Sequence, residues 1–358
     1  MFVERVLPMM SNLRSGRCPL SDNSRVDACV AARHSRVVII GAGAVGSHLA
    51  ASLRGGLPLL VVDSSEQVRA AFAARGIAAI APLEAAVSSL DSRAVLFRNG
   101  DVVVLATSAA VAVSAALLVP IGIPIVCIAN GLTPELTAMR NRSVAYGVVE
   151  FAVSSSSPGR AVRTRNGCLT LQRRSAGDVT SWLAAALDPR MQPVRLTDDI
   201  DAYRHAKLML NASLDPVAAI IGGLIGDVFR RRESFRAFRV LLDEALHVAR
   251  AAGWRLGAIQ GFRPDSLSRI FATPCVRAIA AYAASWQART VSSTLAREIG
   301  RGELGEAEHL CGAIASEGAR VGVQTPAHER AMELLRQISR APGGQGGRPD
   351  LARQLLQS

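Results

Sequence analysis

The sequence predicts an α/β fold: an N-terminal doubly wound parallel sheet followed by an all-helical C-terminal domain. Three observations predict it. Short, wholly apolar runs near the N-terminus alternate with helical stretches, the pattern of parallel strands buried on both faces. The first of these runs ends in a glycine-rich turn that opens a helix. From Asp198 onward the apolar spacing is helical almost without interruption.

Taken in order, residues 1–34 mix Arg, Ser, Asp and Pro without periodicity and are expected to form a flexible N-terminal extension. Val37 to Ile40 is the first buried strand, and Ala44 to Leu53 the first helix. Leu59 to Val62 is the second strand, ending at Asp63, and Glu66 to Ala74 the next helix, stopping near Gly76. Val102 to Ala106 and Ile123 to Ala129 complete the parallel set. Val144 to Val153, Cys168 to Gln172 and Val194 to Leu196 read as further strands, with turns at Pro158-Gly159 and Asn166-Gly167. Helices follow at Asp198 to Asn211, Phe235 to Ala252, Val276 to Arg289 and Glu306 to Gly322. The implied organisation is an extension at 1–34, a dinucleotide-binding domain at 35–196, a helical substrate and catalytic domain at 197–340 and a tail at 341–358.

Bulk properties narrow the function classes. The 358 residues are 49% hydrophobic and 20% charged, as in globular proteins, and the length suits two domains. No apolar run reaches the roughly 18 residues of a membrane span. Glu4 and Arg5 break the short apolar start, so no signal peptide is expected and the cytoplasm is the expected location. The charge of +12 raises nucleic acid as a partner, but aromatic residues make up only 4% and the densest cluster, Arg230-Arg231-Arg232, has no aromatics among it. Neither nucleic acid nor membrane is expected as a partner. Cys18, Cys29, Cys127, Cys168, Cys275 and Cys311 form no CxxC pair, which argues for reduced thiols and no metal site.

Gly41-Ala42-Gly43-Ala44-Val45-Gly46 fits G-x-G-x-x-G between a strand and a helix, the context that makes the motif a dinucleotide-binding, Rossmann-like fingerprint. The first glycine permits the tight turn, the second lets backbone approach a pyrophosphate, and the third allows close helix–strand packing. Asp63 stands where a carboxylate would accept the adenosine 2′-hydroxyl and repel a 2′-phosphate, which leans the cofactor, NAD(P)H, toward NADH. Asp63, Ser64 or Ser65 could equally cap the next helix, and FAD is another ligand of such fingerprints. Asn130-Gly131 follows the fourth strand at its carboxyl end, where Asn130 could orient a ribose or simply make a turn.

Of 41 basic residues, 40 are arginine and one is lysine, Lys207. Arginine supplies charge but does not readily give up a proton, so the lone lysine marks a place where a titratable ammonium is wanted. Lys207 and Asn211 share a helical face, and Asp215 continues the spacing, with Pro216 expected to end the helix.

Lys207-Leu-Met-Leu-Asn211-Ala-Ser-Leu-Asp215-Pro216 resembles the K-L-x-x-N-x-x-x-N-P motif of ketopantoate reductases. Arg301 to Gly312 is similar to that family's R-G-x-x-T-E-I-D-x-L-N-G, and Gly322-Val323-Gln324-Thr325-Pro326 to its G-V-x-T-P. The resemblance spans roughly residues 36–338 and implies reduction of 2-dehydropantoate to pantoate. It implies Lys207 as the general acid at the C2 oxygen, Asn211 as a substrate contact, and Glu306 as a partner of lysine and substrate. Thr294, or Ser293 after a one-residue shift, takes the place of the serine on the substrate carboxylate.

The chain departs from that pattern at several positions. Asp215 replaces an asparagine and would stabilise the ammonium while repelling an anionic substrate. Asp63 and Ser108 stand where the family often has basic residues, and both changes remove cations that favour NADP. His205 replaces a tryptophan and points away from Lys207. The small partner expected is a 2-oxo acid, and the helical domain could carry a homodimer interface. Two other functions remain open at this stage. One is an NAD-dependent D-2-hydroxyacid dehydrogenase or secondary-metabolism reductase on the same scaffold. The other is a non-catalytic nucleotide sensor.

Overall fold

The computed structural model describes residues 34–80, 97–139, 141–173, 179–289, 291, 293–340 and 351–356. The chain divides into two units, Met1–Ile200 and Asp201–Ser358.

The first unit is a sheet with helices. Its elements are β1 (Arg36–Ile40), α1 (Ala44–Ser52), β2 (Leu59–Val62), α2 (Glu66–Ala73), β3 (Ala78–Ile80), β4 (Asp101–Leu105), α3 (Ala109–Leu118), β5 (Ile125–Cys127), α4 (Pro134–Ala138), β6 (Val144–Val149), β7 (Ala152–Ser157), β8 (Arg160–Arg165), β9 (Leu169–Gln172), α5 (Val179–Ala186) and β10 (Val194–Thr197). The eight-stranded sheet has the order β10-β9-β6-β5-β4-β1-β2-β3. All neighbouring pairs are parallel except β6 with β9, which is antiparallel. The order reverses at β1 and β4, so the carboxyl ends of these strands frame the crevice where ligands of open α/β sheets bind.

Apolar runs such as Val102 to Leu105 are buried along their whole length because helices cover both faces. The strand entry is fixed by charge. Asp101, with no exposed side-chain surface, takes a bidentate pair from Arg36 at 2.8 and 2.7 Å. His34, at the end of the expected extension, packs edge-on against Trp182; residues 1–33 lie outside the described residues.

The region after β5 corrects the sequence reading. Val144 to Val153 is not one strand: β6 ends at Val149, and Ala152 begins a separate two-stranded ribbon, β7 with β8. β8 carries no apolar run (its sequence is RAVRTR), and much of the ribbon is exposed, so hydrophobic periodicity could not reveal it. The turn at Pro158-Gly159 is where it was expected, and Arg75 donates to the Gly159 carbonyl at 2.8 Å. From β8, Arg163 reaches buried His48 and Gln192, at 3.1 Å each. Burial holds the His48 imidazole below its usual value; the Gln192 bond opposes this and the Arg163 charge adds to it.

The second unit is helical: α6 (Ile200–Ile221), α7 (Ile225–Val228), α8 (Arg232–Ala251), α9 (Pro264–Ala272), α10 (Pro274–Gln287), α11 (Thr294–Gly300), α12 (Gly305–Ala307), a π turn (Glu308–Gly312), α13 (Ala313–Val321), α14 (Pro326–Arg340) and α15 (Leu351–Gln354). α8 lies at its centre, with Leu241, Leu242 and Ala245 fully buried, and Phe229, Phe235, Phe238 and Phe271 pack at centroid distances of 5.2 to 6.2 Å.

One expectation fails here. α6 does not end at Pro216 but runs on to Ile221. Proline removes the bond to the carbonyl four residues back, which is that of Ala212. The Cys311 thiol points at this same oxygen, 3.8 Å away, and compensates the missing donor. Within the expected tail at 341–358, Leu351–Gln354 forms the short helix α15. Leu351, Ala352 and Leu355 are buried, and Arg353 reaches Glu233 of α8 at 3.6 Å. The short apolar cluster was too brief to register as a helix, and residues 341–350 lie outside the described residues.

Cys127 and Cys311 are buried and outside any disulfide, whereas Cys168 is disulfide-bonded, against the expectation of reduced thiols. Among the described residues no helix is long and apolar enough to cross a membrane, and no cluster of ligating side chains could hold a metal ion.

Candidate active site

In the sheet unit the site is built from backbone. Gly41 sits at φ +88°, and a Cβ there would lie 2.4 Å from Thr107 Cγ2. A Cβ on Gly46 would lie 2.0 Å from the Gly41 carbonyl oxygen, so the start of α1 can press against the turn only because both are glycine. Gly43 differs: a Cβ there would meet nothing within 4 Å. It is the N-cap of α1 and no side chain caps that helix. The loop therefore offers unblocked amides and open space at a helix N-terminus, a cradle of the kind a pyrophosphate fills.

Asp63 is tied to this loop. Its Oδ2 accepts the Ala42 amide at 2.7 Å and its Oδ1 the Ser65 amide at 2.8 Å. The cap of α2 is Ser65, which accepts from Val68, so Asp63 is no simple helix cap. Each carboxylate oxygen keeps a lone pair for a further donor. Arg69 of α2 lays one guanidinium nitrogen on the carbonyls of Asp63 and Ser64, 2.8 Å from each. Nothing in the spacing pointed to Arg69. Ser108, the exposed N-cap of α3, makes no side-chain cap bond, so its hydroxyl is not committed to that helix. Asn130 follows β5, with Gly131 at φ +82° turning the chain at the same carboxyl edge.

In the helical unit the site is built from side chains. Lys207, Asn211 and Asp215 recur along one face of α6, each half-buried, flanked by fully buried Ala206, Leu208, Met209 and Ala212. A plain solvated face would leave them exposed. Glu306 is buried in the first turn of α12, and its amide donates to Glu298 Oε2 of α11 at 2.9 Å. The π turn follows at once; such turns re-aim side chains and recur at functional sites.

Ser293 and Thr294 separate clearly. Ser293 is buried and its Oγ caps α11 by accepting the Ala296 amide at 3.3 Å, whereas Thr294 is exposed. Arg297 donates to the Thr294 hydroxyl at 3.2 Å. Burial, and then the charges of Asp215 and Glu244, push the Cys311 thiol far up, so it is an inert core group. His205 stacks on Trp254 with centroids 4.2 Å apart and planes 3° from parallel. Burial holds its imidazole below the usual value, against the pull of Asp201. In the Gly322 to Pro326 stretch, Gly322 at φ +74° ends α13. Glu244 then accepts the Ala327 and His328 amides at the start of α14, at 3.0 and 2.9 Å.

Residues 37–176 match the family described as ketopantoate reductase PanE/ApbA, and residues 199–339 match its C-terminal counterpart, ketopantoate reductase PanE/ApbA C terminal. The chain belongs to the ketopantoate reductase family. It is an oxidoreductase of the 2-dehydropantoate 2-reductase kind, acting on CH–OH with a nicotinamide cofactor. A 2-dehydropantoate 2-reductase of Archaeoglobus fulgidus is 24% identical over 313 residues, 86% of this chain and 98% of its own length. In fold the chain is similar to a PanE/ApbA family ketopantoate reductase from Ralstonia eutropha, with TM-score 0.65, 24% identity and coverage of 85% and 98% of the two chains. It is also similar to a D-mandelate dehydrogenase solved with NADH and anilino(oxo)acetate, with TM-score 0.61, 16% identity and coverage of 85% and 98%.

Proposed function

We propose that this chain reduces a 2-oxo acid, with 2-dehydropantoate as the first substrate to test, and that Lys207 supplies the proton. What carries the reading is Lys207 itself. The only lysine among 358 residues sits half-buried on α6, in register with Asn211, within a stretch that matches the ketopantoate reductase C-terminal family.

A reduced nicotinamide, bound over Gly41 to Gly46, would supply the hydride to C2. The protein's part is electrostatic and protonic. The Lys207 ammonium polarises the C2 carbonyl and then gives a proton from Nζ to its oxygen as the π bond breaks, leaving an alcohol and a neutral amine to be reprotonated from water. Asn211, one turn along, holds the substrate's polar groups, and the buried Glu306 carboxylate orients the ammonium. Thr294, the exposed member of its pair, donates its hydroxyl to the substrate carboxylate. Ser293 is the lesser candidate, because it is buried and its Oγ already accepts the Ala296 amide at the start of α11.

Asp63 supports NADH as the better cofactor, since a carboxylate at the end of β2 repels a 2′-phosphate. The cytoplasm, where nicotinamide pools and small oxo acids meet, suits such a chemistry. A second reading, an NAD-dependent D-2-hydroxyacid dehydrogenase, is favoured by Asp215 in place of asparagine and by the fold shared with D-mandelate dehydrogenase. Absorbance at the reduced-nicotinamide band, with 2-dehydropantoate and a panel of 2-oxo acids against NADH and NADPH, separates the two. Rapid oxidation with 2-dehydropantoate supports the first reading, and activity only on other 2-oxo acids supports the second. Nucleotide binding without turnover on any acid would contradict both.

A further inference from the structure

α11 contacts the Glu306 segment through Glu298. Thr294, Arg297 and Glu298 lie at i, i+3 and i+4, within an arc of about 100° on one face of the helix. That face is directed by a contact: Glu298 Oε2 accepts the amide of Glu306 at 2.9 Å. Thr294 and Arg297 thus project from the same side that holds the proposed lysine partner. The two are joined, Arg297 Nη2 donating to Thr294 Oγ1 at 3.2 Å.

The charge on Arg297 is not spent. Its neighbour Arg301 is paired with Glu303 at 2.7 Å, and Arg320 and Arg330 likewise with acids one turn away. Among the described residues Arg297 meets no carboxylate within ion-pair distance; it donates to the Thr294 hydroxyl. A guanidinium beside a hydroxyl, both exposed, presents several N–H donors and one O–H to the same small volume. The group that satisfies such a set is a carboxylate, taken by charge-assisted bonds.

We propose that Arg297 is a second anchor for the substrate's carboxylate beside Thr294, setting a preference for the free acid over its neutral ester; the proposal rests on the reading of Lys207, Glu306 and Thr294 given above. It also accounts for an oddity of the chain. Asp215 adds a negative charge to the α6 face that should receive an anion, and Arg297 restores the balance with a full cation that a lone hydroxyl could not supply. Arg297 is then a specificity-determining residue, and the proton still comes from Lys207.

The test compares a 2-oxo acid with its methyl ester in wild type and Arg297→Gln, a substitution at an exposed site whose fold is checked by circular dichroism. For the acid, KM should rise by roughly 10- to 100-fold, the loss of one charge-assisted interaction, with kcat within about threefold. KM for the ester and the Kd for NADH should not move. Arg297→Lys should recover part of the loss. An unchanged KM for the acid, or equal losses for acid and ester, would overturn the assignment. If wild type turns over no 2-oxo acid, the earlier reading has failed, and binding of oxamate to the NADH-loaded protein decides this one. Weaker binding to Arg297→Gln by about tenfold or more upholds it, and indistinguishable binding sinks it.

Discussion

The two units build their sites from different materials. In the sheet unit the recognition surface is main chain: amides at Gly43 and Ala44, a turn that tolerates only glycine at Gly41 and Gly46, and one carboxylate, Asp63, bonded to backbone on both oxygens. In the helical unit the proposed site is side chains standing on helices: Lys207, Asn211, Asp215, Glu306 and Thr294. A backbone site fixes the bound group's shape whatever the surrounding residues, so it persists while sequence drifts. A side-chain site changes whenever a residue does: Asp215 falls in this unit, while the departures in the sheet unit, Asp63 and Ser108, bear only on which nicotinamide nucleotide is preferred. The nucleotide class is therefore the robust part of the function and the choice of acid the adjustable part.

Mutations read as stability or nucleotide binding can break this contrast. The largest effect is expected at the glycine loop. Gly46→Ala forces a methyl to within 2.0 Å of a backbone oxygen, so the turn must open, at a cost of about 3 kcal/mol, with nucleotide binding lost. Gly43→Ala is the matched control: nothing lies within 4 Å, so thermal stability should hold while nucleotide affinity falls about tenfold or more. Equal melting temperatures for the two variants would show that the loop is not packed as described.

The next effect belongs to the helical unit and to acid. Burial pushes the Glu244 carboxyl up, but the His328 ring and the amides of Ala327 and His328 win and hold it below its usual value. A carboxylate depressed in the folded state stabilises above its unfolded value, near 4.5, and loses that contribution as pH falls through the lower folded value. Denaturant melts should show stability falling below about pH 4.5. Glu244→Gln should remove about 1–3 kcal/mol at neutral pH and flatten that decline. A variant that keeps the same acid slope would place it elsewhere.

A smaller loss follows at Cys311. Cys311→Ala leaves the Ala212 carbonyl without its thiol donor beside Pro216 and opens a small gap, together about 1–2 kcal/mol. The native thiol should also resist alkylating reagents until the protein unfolds, and rapid labelling would show that it is accessible. The smallest effect is at Asp63. Asp63→Ala leaves the Ala42 and Ser65 amides without their acceptor, about 1 kcal/mol, and should narrow any preference for NADH measured by Kd for the two nucleotides. An unchanged ratio would reduce Asp63 to a loop tie.

What the sequence revealed follows the same division. The glycine loop was legible because Gly41 and Gly46 leave letters where a side chain would clash, and the buried strands because their runs are wholly apolar. The β7–β8 ribbon was not, since Ser154 to Ser157 and Arg160 to Arg165 cover a surface and carry no apolar period. Pro216 was a false stop. Its missing N–H is compensated by Cys311, 95 residues on, a tertiary contact that no local rule contains. In the site, Lys207 stood out by rarity, while Arg297, one of 40 arginines, could be singled out only by what it touches. Ser293 and Thr294 are chemically alike and adjacent, and only the helix boundary separates them.

Nucleotide binding is assigned here by proposal to the sheet unit's backbone and proton transfer to Lys207, and Lys207→Ala separates the two. With NADH and the best 2-oxo acid, turnover should fall by roughly two to four orders of magnitude. The Kd for NADH, titrated by its fluorescence on the same protein, should stay within about twofold of wild type. Full turnover in that variant, or a loss of NADH binding as large as the loss of turnover, would contradict the account.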